Sequence, residues 1–360
     1  MAAISRKTLF VLLLNLVIIS SGCSPKPTPE PPLTLTSTVK PTQTPEPSPT
    51  PYPTQIPQLE SNCPPGGWTM YTEEDGLSDN WPRTLAVDPD GRVYVGYTRG
   101  DISFLLNGTW TTFPDSPGSP SNQVNKILPL SNGDIWAGTQ TGYIALYHED
   151  TWKMWSGINV DGGNTSVYDL ENALDGRVWA ATWDGVFQLR GDKWQPLSKP
   201  VLENTTFSVK SIHLDRDGGL WVGARYGLHY FKDGGWKHVT TGYEPIYDVV
   251  TIEEDQFGNL WFGYMDGILF YDGDAWQKVY PAVGSSDSES SRVRIDSLAL
   301  GIDGRIWVTN HPNATVYEDG RWNMLIPDVG EYDIQIFHVD TDPWGAAWFI
   351  SNEGVLCYTP

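Results

Sequence analysis

From about residue 66 onward, short apolar runs alternate with clusters of Asp, Gly, Asn and Ser. One stretch shows the grain: Val209–Leu214, Leu220–Gly223, Leu228–Phe231 and Trp236–Val239 are apolar. Asp215-Arg216-Asp217-Gly218 separates the first two, and Lys232-Asp233-Gly234-Gly235 the last two. Runs of four to six residues bounded by Asp/Gly turns predict antiparallel hairpins. No segment sustains a 3.6-residue apolar period, so the pattern predicts an all-β chain.

The pattern repeats. Trp68, Trp110, Trp152, Trp194, Trp236, Trp276 and Trp322 follow one another at intervals of 42, 42, 42, 42, 40 and 46. A second aromatic series runs between them: Tyr94, Trp136, Trp179, Trp221, Trp261, Trp307 and Trp348. Three residues before each member stands a glycine, and six residues after stands another, with Asn313 the one exception. Asn is expected to take that place because it tolerates positive φ. Four strands per repeat of this length describe a propeller blade, and seven copies predict a seven-bladed β-propeller. The 13 tryptophans of the two series are expected to fill the wedges between blades, since each can bury up to about 250 Å².

The ends of the repeat predict how the ring closes. Trp68–Tyr71 reads as an outer strand with no third strand before it, whereas the last unit stops after Val355–Tyr358. The N-terminal strand is therefore expected to complete blade seven and leave no unpaired seam. Cys63 and Cys357 flank that junction, and they are expected to pair in an oxidising compartment.

Such a compartment is implied by the N-terminus. Arg6 and Lys7 precede an apolar run from Leu9 to Ile19, then Ser20-Ser21-Gly22-Cys23, which reads as a secretory signal peptide over residues 1–22. The run is shorter than the roughly 20 apolar residues that span a bilayer. Gly22-Cys23 resembles the lipobox of bacterial lipoproteins, although Ser20 stands where Leu is usual; the resemblance implies lipidation at Cys23 and attachment to the cell envelope. Residues 24–60 hold 12 prolines and 8 threonines in 37 positions and cannot bury a core. Extended as polyproline II they would reach on the order of 100 Å. The expected organisation is thus a signal peptide, a lipidated Cys23 with its spacer over 23–60, and a propeller over 61–360.

Charge narrows the partners. Lys and Arg total 23 against 44 Asp and Glu, a net charge of -21, which repels phosphate backbones and makes nucleic acid an unsuitable partner.

The repeated unit, V-x-x-[IL]-x-x-D-x-x-G-x-[IVL]-W-V-G followed by G-[LIV], as in Val209 through Leu228, is similar to the two-component regulator propeller repeat. That resemblance covers all seven repeats. It implies an extracytoplasmic sensor or binding domain, often for oligosaccharides. No transmembrane, kinase or DNA-binding segment is read after the seventh repeat, so the expected role is a binding module for a glycan, peptide or envelope partner.

In a propeller, the loops joining second to third strands and outer to inner strands share one face around the central channel. The candidate ligand residues there are Trp81, Arg83, Tyr97, Arg99, Trp183, Asp184, Arg225, Tyr226, Tyr264, Asp266 and His311. Trp81 and Trp183 belong to neither aromatic series. Exposed aromatic rings beside Asp and Arg suit stacking on sugars or gripping a peptide. The alternative is a propeller hydrolase or lyase with a metal at the channel mouth, for which His311 and His338 are placed near that face. No nucleophile motif or phosphate-binding glycine loop accompanies them, and no catalytic set, cofactor or metal ligand is assigned.

Overall fold

The computed structural model describes residues 60–79, 81–113, 122–155, 158, 165–173, 175–198, 207–280, 293–330 and 333–360. The signal peptide, Cys23 and the spacer up to residue 59 lie outside the described residues. The described chain forms seven four-stranded antiparallel sheets, a seven-bladed β-propeller. Blade 4 is typical, with strands Val209–Leu214, Leu220–Ala224, Gly227–Lys232 and Gly235–Val239, each within two residues of its apolar run.

Blade 7 combines Ile336–Thr341, Ala347–Ser351 and Val355–Thr359 with the N-terminal strand Gly67–Tyr71 as its outer member. Trp68 pairs with Tyr358 and Tyr71 with Val355, so the ring closes as its ends predict. Gly354 fits that junction closely. Its φ is +146°, and a Cβ there would stand 2.3 Å from the Tyr71 carbonyl oxygen. Just upstream, Cys63 is disulfide-bonded to Cys357, with Cα atoms 5.8 Å apart.

None of the 13 series tryptophans is fully exposed, and Trp307 and Trp348 are almost wholly buried. Trp348 lies against Tyr71 at 5.9 Å and donates from Nε1 to Asp342 Oδ2 at 3.3 Å. Asn313 differs from expectation: it does not take positive φ, and the preceding turn instead carries a cis peptide between His311 and Pro312. Blade 6 therefore turns without the glycine conformation used in the other blades.

The inner strands adjoin one another in sequence around the ring, with blade 7 meeting blade 1. An inner strand has a sheet partner on one side only, which leaves a row of backbone groups facing the channel. Side chains from adjacent blades take up many of these. Asp340 Oδ2 accepts from Val87 N–H at 2.8 Å, and Asp169 Oδ2 from Ile212 N–H at 3.0 Å. Asn125 Nδ2 donates to the Val167 carbonyl at 3.0 Å, and Ser211 Oγ to that of Val249 at 3.0 Å. The polar residues of the inner strands thus act first as mortar between blades.

Candidate ligand site at the channel mouth

A channel of about 710 Å³ runs along the inner strands of all seven blades. Its lining follows the tryptophan period. Eight residues before each second-series aromatic, and directly paired with it, stand Ala86, Leu128, Glu171, His213, Glu253, Ala299 and Asp340. Lys126, Asp169 and His338 occupy the tier two residues earlier. Lys126 Nζ is 2.9 Å from Asp169 Oδ1. His213 Nε2 is 2.9 Å from Glu254 Oε2, whose other oxygen is 2.6 Å from Arg216 Nε.

Burial sets the protonation of this interior. It pushes Glu171 up to about 8, assisted by the neighbouring Asp169 charge. Burial likewise pushes Glu253 up to about 8 against the opposing pull of Lys126. His338 is driven down to about 3 by burial and by the positive charge of Lys126. Burial opposes the Lys126 ammonium, but Asp169 outweighs it and holds the lysine charged. Among the described residues, no group of three or more His, Cys, Asp or Glu side chains is arranged to hold a metal ion.

At the loop end, sharing part of the channel lining, lies a cavity of about 630 Å³, lined by Arg83, Asn125, Tyr168, Arg294, His311 and Phe337 among others. The local cause is a repeated irregularity. The register of the inner strand shifts by one residue between Pro82 and Thr84, Val124 and Lys126, Val167 and Asp169, Val209 and Ser211, and Ile336 and His338. The extra residues are Arg83, Asn125, Tyr168, Lys210 and Phe337, and all five line the channel or its mouth. A bulge leaves one residue out of the ladder and re-aims its side chain. Five blades use it to furnish one ring of groups.

Around that ring the aromatic and basic groups interleave. Lys210 Nζ lies 3.5 Å above the Tyr168 ring and 5.5 Å from that of Trp183. His311 stacks on Phe337 at 4.9 Å. Arg294 Nε is 3.0 Å from Asp296 Oδ1, and the His311 backbone N–H donates to Asp296 Oδ2 at 2.9 Å. Asn310 also lines this cavity, and its Oδ1, buried from solvent, has no hydrogen-bond partner among the described residues.

The sequence-predicted residues divide. Arg83 and His311 line the mouth, whereas Trp183 lines neither cavity and lies 5.5 Å from Nζ of Lys210, a channel residue. Trp81 is 66% exposed. Its carbonyl accepts from Thr98 N–H at 3.5 Å, and the adjacent Arg99 pairs with Asp79 at 3.3 Å. Arg225 lies 5.6 Å over Tyr226, which meets Tyr247 edge-on at 6.2 Å. Asp184 is half-buried, its N–H donating to Thr182 Oγ1. Asp266, also half-buried, adds to the burial that raises the Tyr264 hydroxyl.

Tyr97 and Tyr264 need correction. Expected in loops, they end the second strands of blades 1 and 5 and are buried, because each strand runs one residue further than its apolar run. The Tyr97 hydroxyl instead accepts from Ser78 N–H. Neither ring can face a ligand. Asn125, Tyr168, Lys210 and Phe337 are the channel and mouth residues that sequence reading misses. For Tyr168 and Lys210 a signal was available, the constant offset of eleven residues before Trp179 and Trp221.

Comparison with known proteins adds the fold's company. No family model matches the chain, and no curated relative matches it. Among solved structures, virginiamycin B lyase from Staphylococcus aureus superposes with a TM-score of 0.65 at 15% identity, over 81% of this chain and 98% of the lyase. The extracellular domain of a putative hybrid two-component system from B. thetaiotaomicron gives 0.62 at 20% identity, over 83% of this chain and 42% of that one. PorZ, a surface component of the type-IX secretion system of Porphyromonas gingivalis, gives 0.62 at 16%, over 79% and 47%. The shared property is the propeller. A lyase, an extracellular domain of a two-component system and a secretion-system component carry it alike, so the fold leaves the chemistry to the individual mouth.

Proposed function

We propose that this protein is an extracytoplasmic, lipid-anchored binding module whose ligand, a glycan, peptide or envelope partner, sits at the loop-side mouth of the propeller channel. One observation carries the reading: five inner-strand bulges direct Arg83, Asn125, Tyr168, Lys210 and Phe337 onto the channel or its mouth. Concave sites lined by aromatic rings with a few convergent polar groups are the usual form of a ligand pocket. The extracytoplasmic setting is supported by the signal-like N-terminus and by the Cys63–Cys357 disulfide. Among the described residues no helix is long and apolar enough to cross a membrane, and Cys23 supplies the means of attachment in this reading.

The test is a glycan and peptide array probed with the full chain and with Trp183→Ala. Binding that the substitution weakens supports the module. Retention of every bound species by Trp183→Ala, Arg83→Gln and Trp81→Ala alike would move the site elsewhere. Separately, Cys23→Ala should release the protein from the membrane fraction.

A further inference from the structure

We propose that His229 and His238, on the outer half of blade 4 and away from the channel, bind a late first-row divalent cation, with zinc as the type case. His229 of the third strand and His238 of the fourth are direct partners in the ladder. Such partners share one face of the sheet, and the two imidazole centres lie 5.0 Å apart. An ion about 2.0–2.1 Å from one nitrogen of each ring, at a tetrahedral angle, requires ring centres about 5 Å apart. The same register position in the other six blades holds Ser103, Ala145, Phe187, Leu269, Thr315 and Leu356, all buried. Each faces the residue two places after its first-series tryptophan, as His229 faces His238. Packing there calls for a small or apolar side chain, and blade 4 alone supplies imidazoles.

The hydrogen bonding leaves a nitrogen of each ring free to ligate. His229 Nε2 lies 3.3 Å from the Tyr226 carbonyl oxygen, which can only accept, so that nitrogen carries the hydrogen. The ring is buried with no carboxylate beside it among the described residues and is therefore neutral. Its Nδ1 then holds a lone pair, buried and without a partner among those residues. One nitrogen tied to a backbone carbonyl and the other left for the ion is the usual arrangement of a metal-bound histidine. His238 is exposed and forms no hydrogen bond or ion pair among the described residues. His148 and His213, by contrast, hold Asp134 and Glu254 at 2.6 and 2.9 Å. Since His229 Nδ1 has no open surface, the ion enters from the His238 side, where that exposed ring turns to take it up. Gly227 makes room for the ring: a Cβ there would stand 2.7 Å from His238 Cε1. Phe207 and Trp236 wall the inner side, edge-on to His229 at 5.3 and 6.4 Å. Imidazole nitrogen suits zinc, copper and nickel, whereas calcium and magnesium take oxygen ligands. Two protein ligands leave the remaining coordination positions to water.

The experiment titrates the full chain, stripped of metal by chelator, with zinc chloride and separately with magnesium and calcium chlorides. His229→Gln, His238→Gln and His148→Gln are titrated beside the parent. The expected result is one zinc per chain, bound at least about tenfold more weakly after either of the first two substitutions and unchanged after the third. Magnesium and calcium should not compete. His229→Gln alters a buried position, so the surface variant His238→Gln decides: without metal its thermal midpoint should match the parent's, and zinc should raise only the parent's. Copper(II) loaded in place of zinc should show electron-spin coupling to two imidazole nitrogens. Zinc held equally by the parent and His238→Gln, coupling to fewer than two imidazoles, or no stoichiometric uptake would each overturn the inference. The binding reading of the channel mouth stands or falls separately, on its own array.

Discussion

The Lys126 ammonium stands 2.9 Å from the Asp169 carboxylate, across the seam between blades 2 and 3. The second oxygen of Asp169 accepts from the Ile212 N–H of blade 4, so one carboxylate joins three consecutive blades. Lys126→Met removes the positive charge and leaves Asp169 in the channel wall with one partner fewer. A fully buried pair broken this way costs about 3–5 kcal/mol. Lys126 remains one-third exposed, at 33%, so solvent screening reduces the loss to roughly 1–3 kcal/mol. Urea denaturation of the variant should show the lower midpoint with an unchanged slope.

The interior acids make stability fall as pH rises. Glu171 and Glu253 hold protons in the fold up to about 8, whereas in the unfolded chain they release them near 4.5. A raised pKa contributes stability that is full below the unfolded value and is lost as pH climbs through the folded one. His338 acts oppositely, since it stays neutral down to about 3 and loses stability as pH falls below its ordinary 6.5. Thermal midpoints should therefore decline between about pH 5 and 8, and Glu253→Gln should flatten that decline. A slope identical in the variant would count against the protonated carboxyl.

At the rim, Trp81 and Trp183 are 66% and 40% exposed. Alanine at either should change stability by no more than about 0.5 kcal/mol, as for other surface sites. If Trp183 stacks on the ligand, its removal weakens binding by about tenfold or more, a loss of 1–3 kcal/mol of ring contact. Calorimetric melts and titrations on the same preparations separate the two effects.

Closure of the ring can be tested from its covalent side. Cys63 and Cys357 are 294 residues apart, and a crosslink of that span restricts the unfolded chain by on the order of 5 kcal/mol in the chain-entropy account. The Cys63→Ser/Cys357→Ser pair should keep the fold and melt markedly lower. Reductant should reproduce the shift in the parent protein and leave the variant unmoved.

Much of the architecture was legible because propeller packing repeats its demands. Trp307 and Trp348 fill equivalent wedges in blades 6 and 7, and the same steric problem calls for the same side chain each time. The mouth follows no such rule. Arg83, Asn125, Tyr168, Lys210 and Phe337 occupy one structural position with five different residues, so only the offset betrays them. Apolar runs locate strands, but a one-residue bulge leaves the run intact while changing where a side chain points. Tyr97 shows the converse error. It looked like a loop aromatic because polar Thr98 follows it, yet its N–H still pairs with the Asp101 carbonyl.

The disulfide has a mechanical consequence set by its place in the chain. Cys63 precedes the closing strand Gly67–Tyr71, and its partner Cys357 lies within the strand on which that closing strand rests. Tension applied upstream of residue 63 therefore passes through a covalent bond directly into blade 7. The hydrogen bonds from Gly67 to Tyr71 lie off the load path and are not unzipped by it. A domain pulled by a tether at that end, under flow or by a bound surface polymer, would transmit force to its ring without opening at the seam.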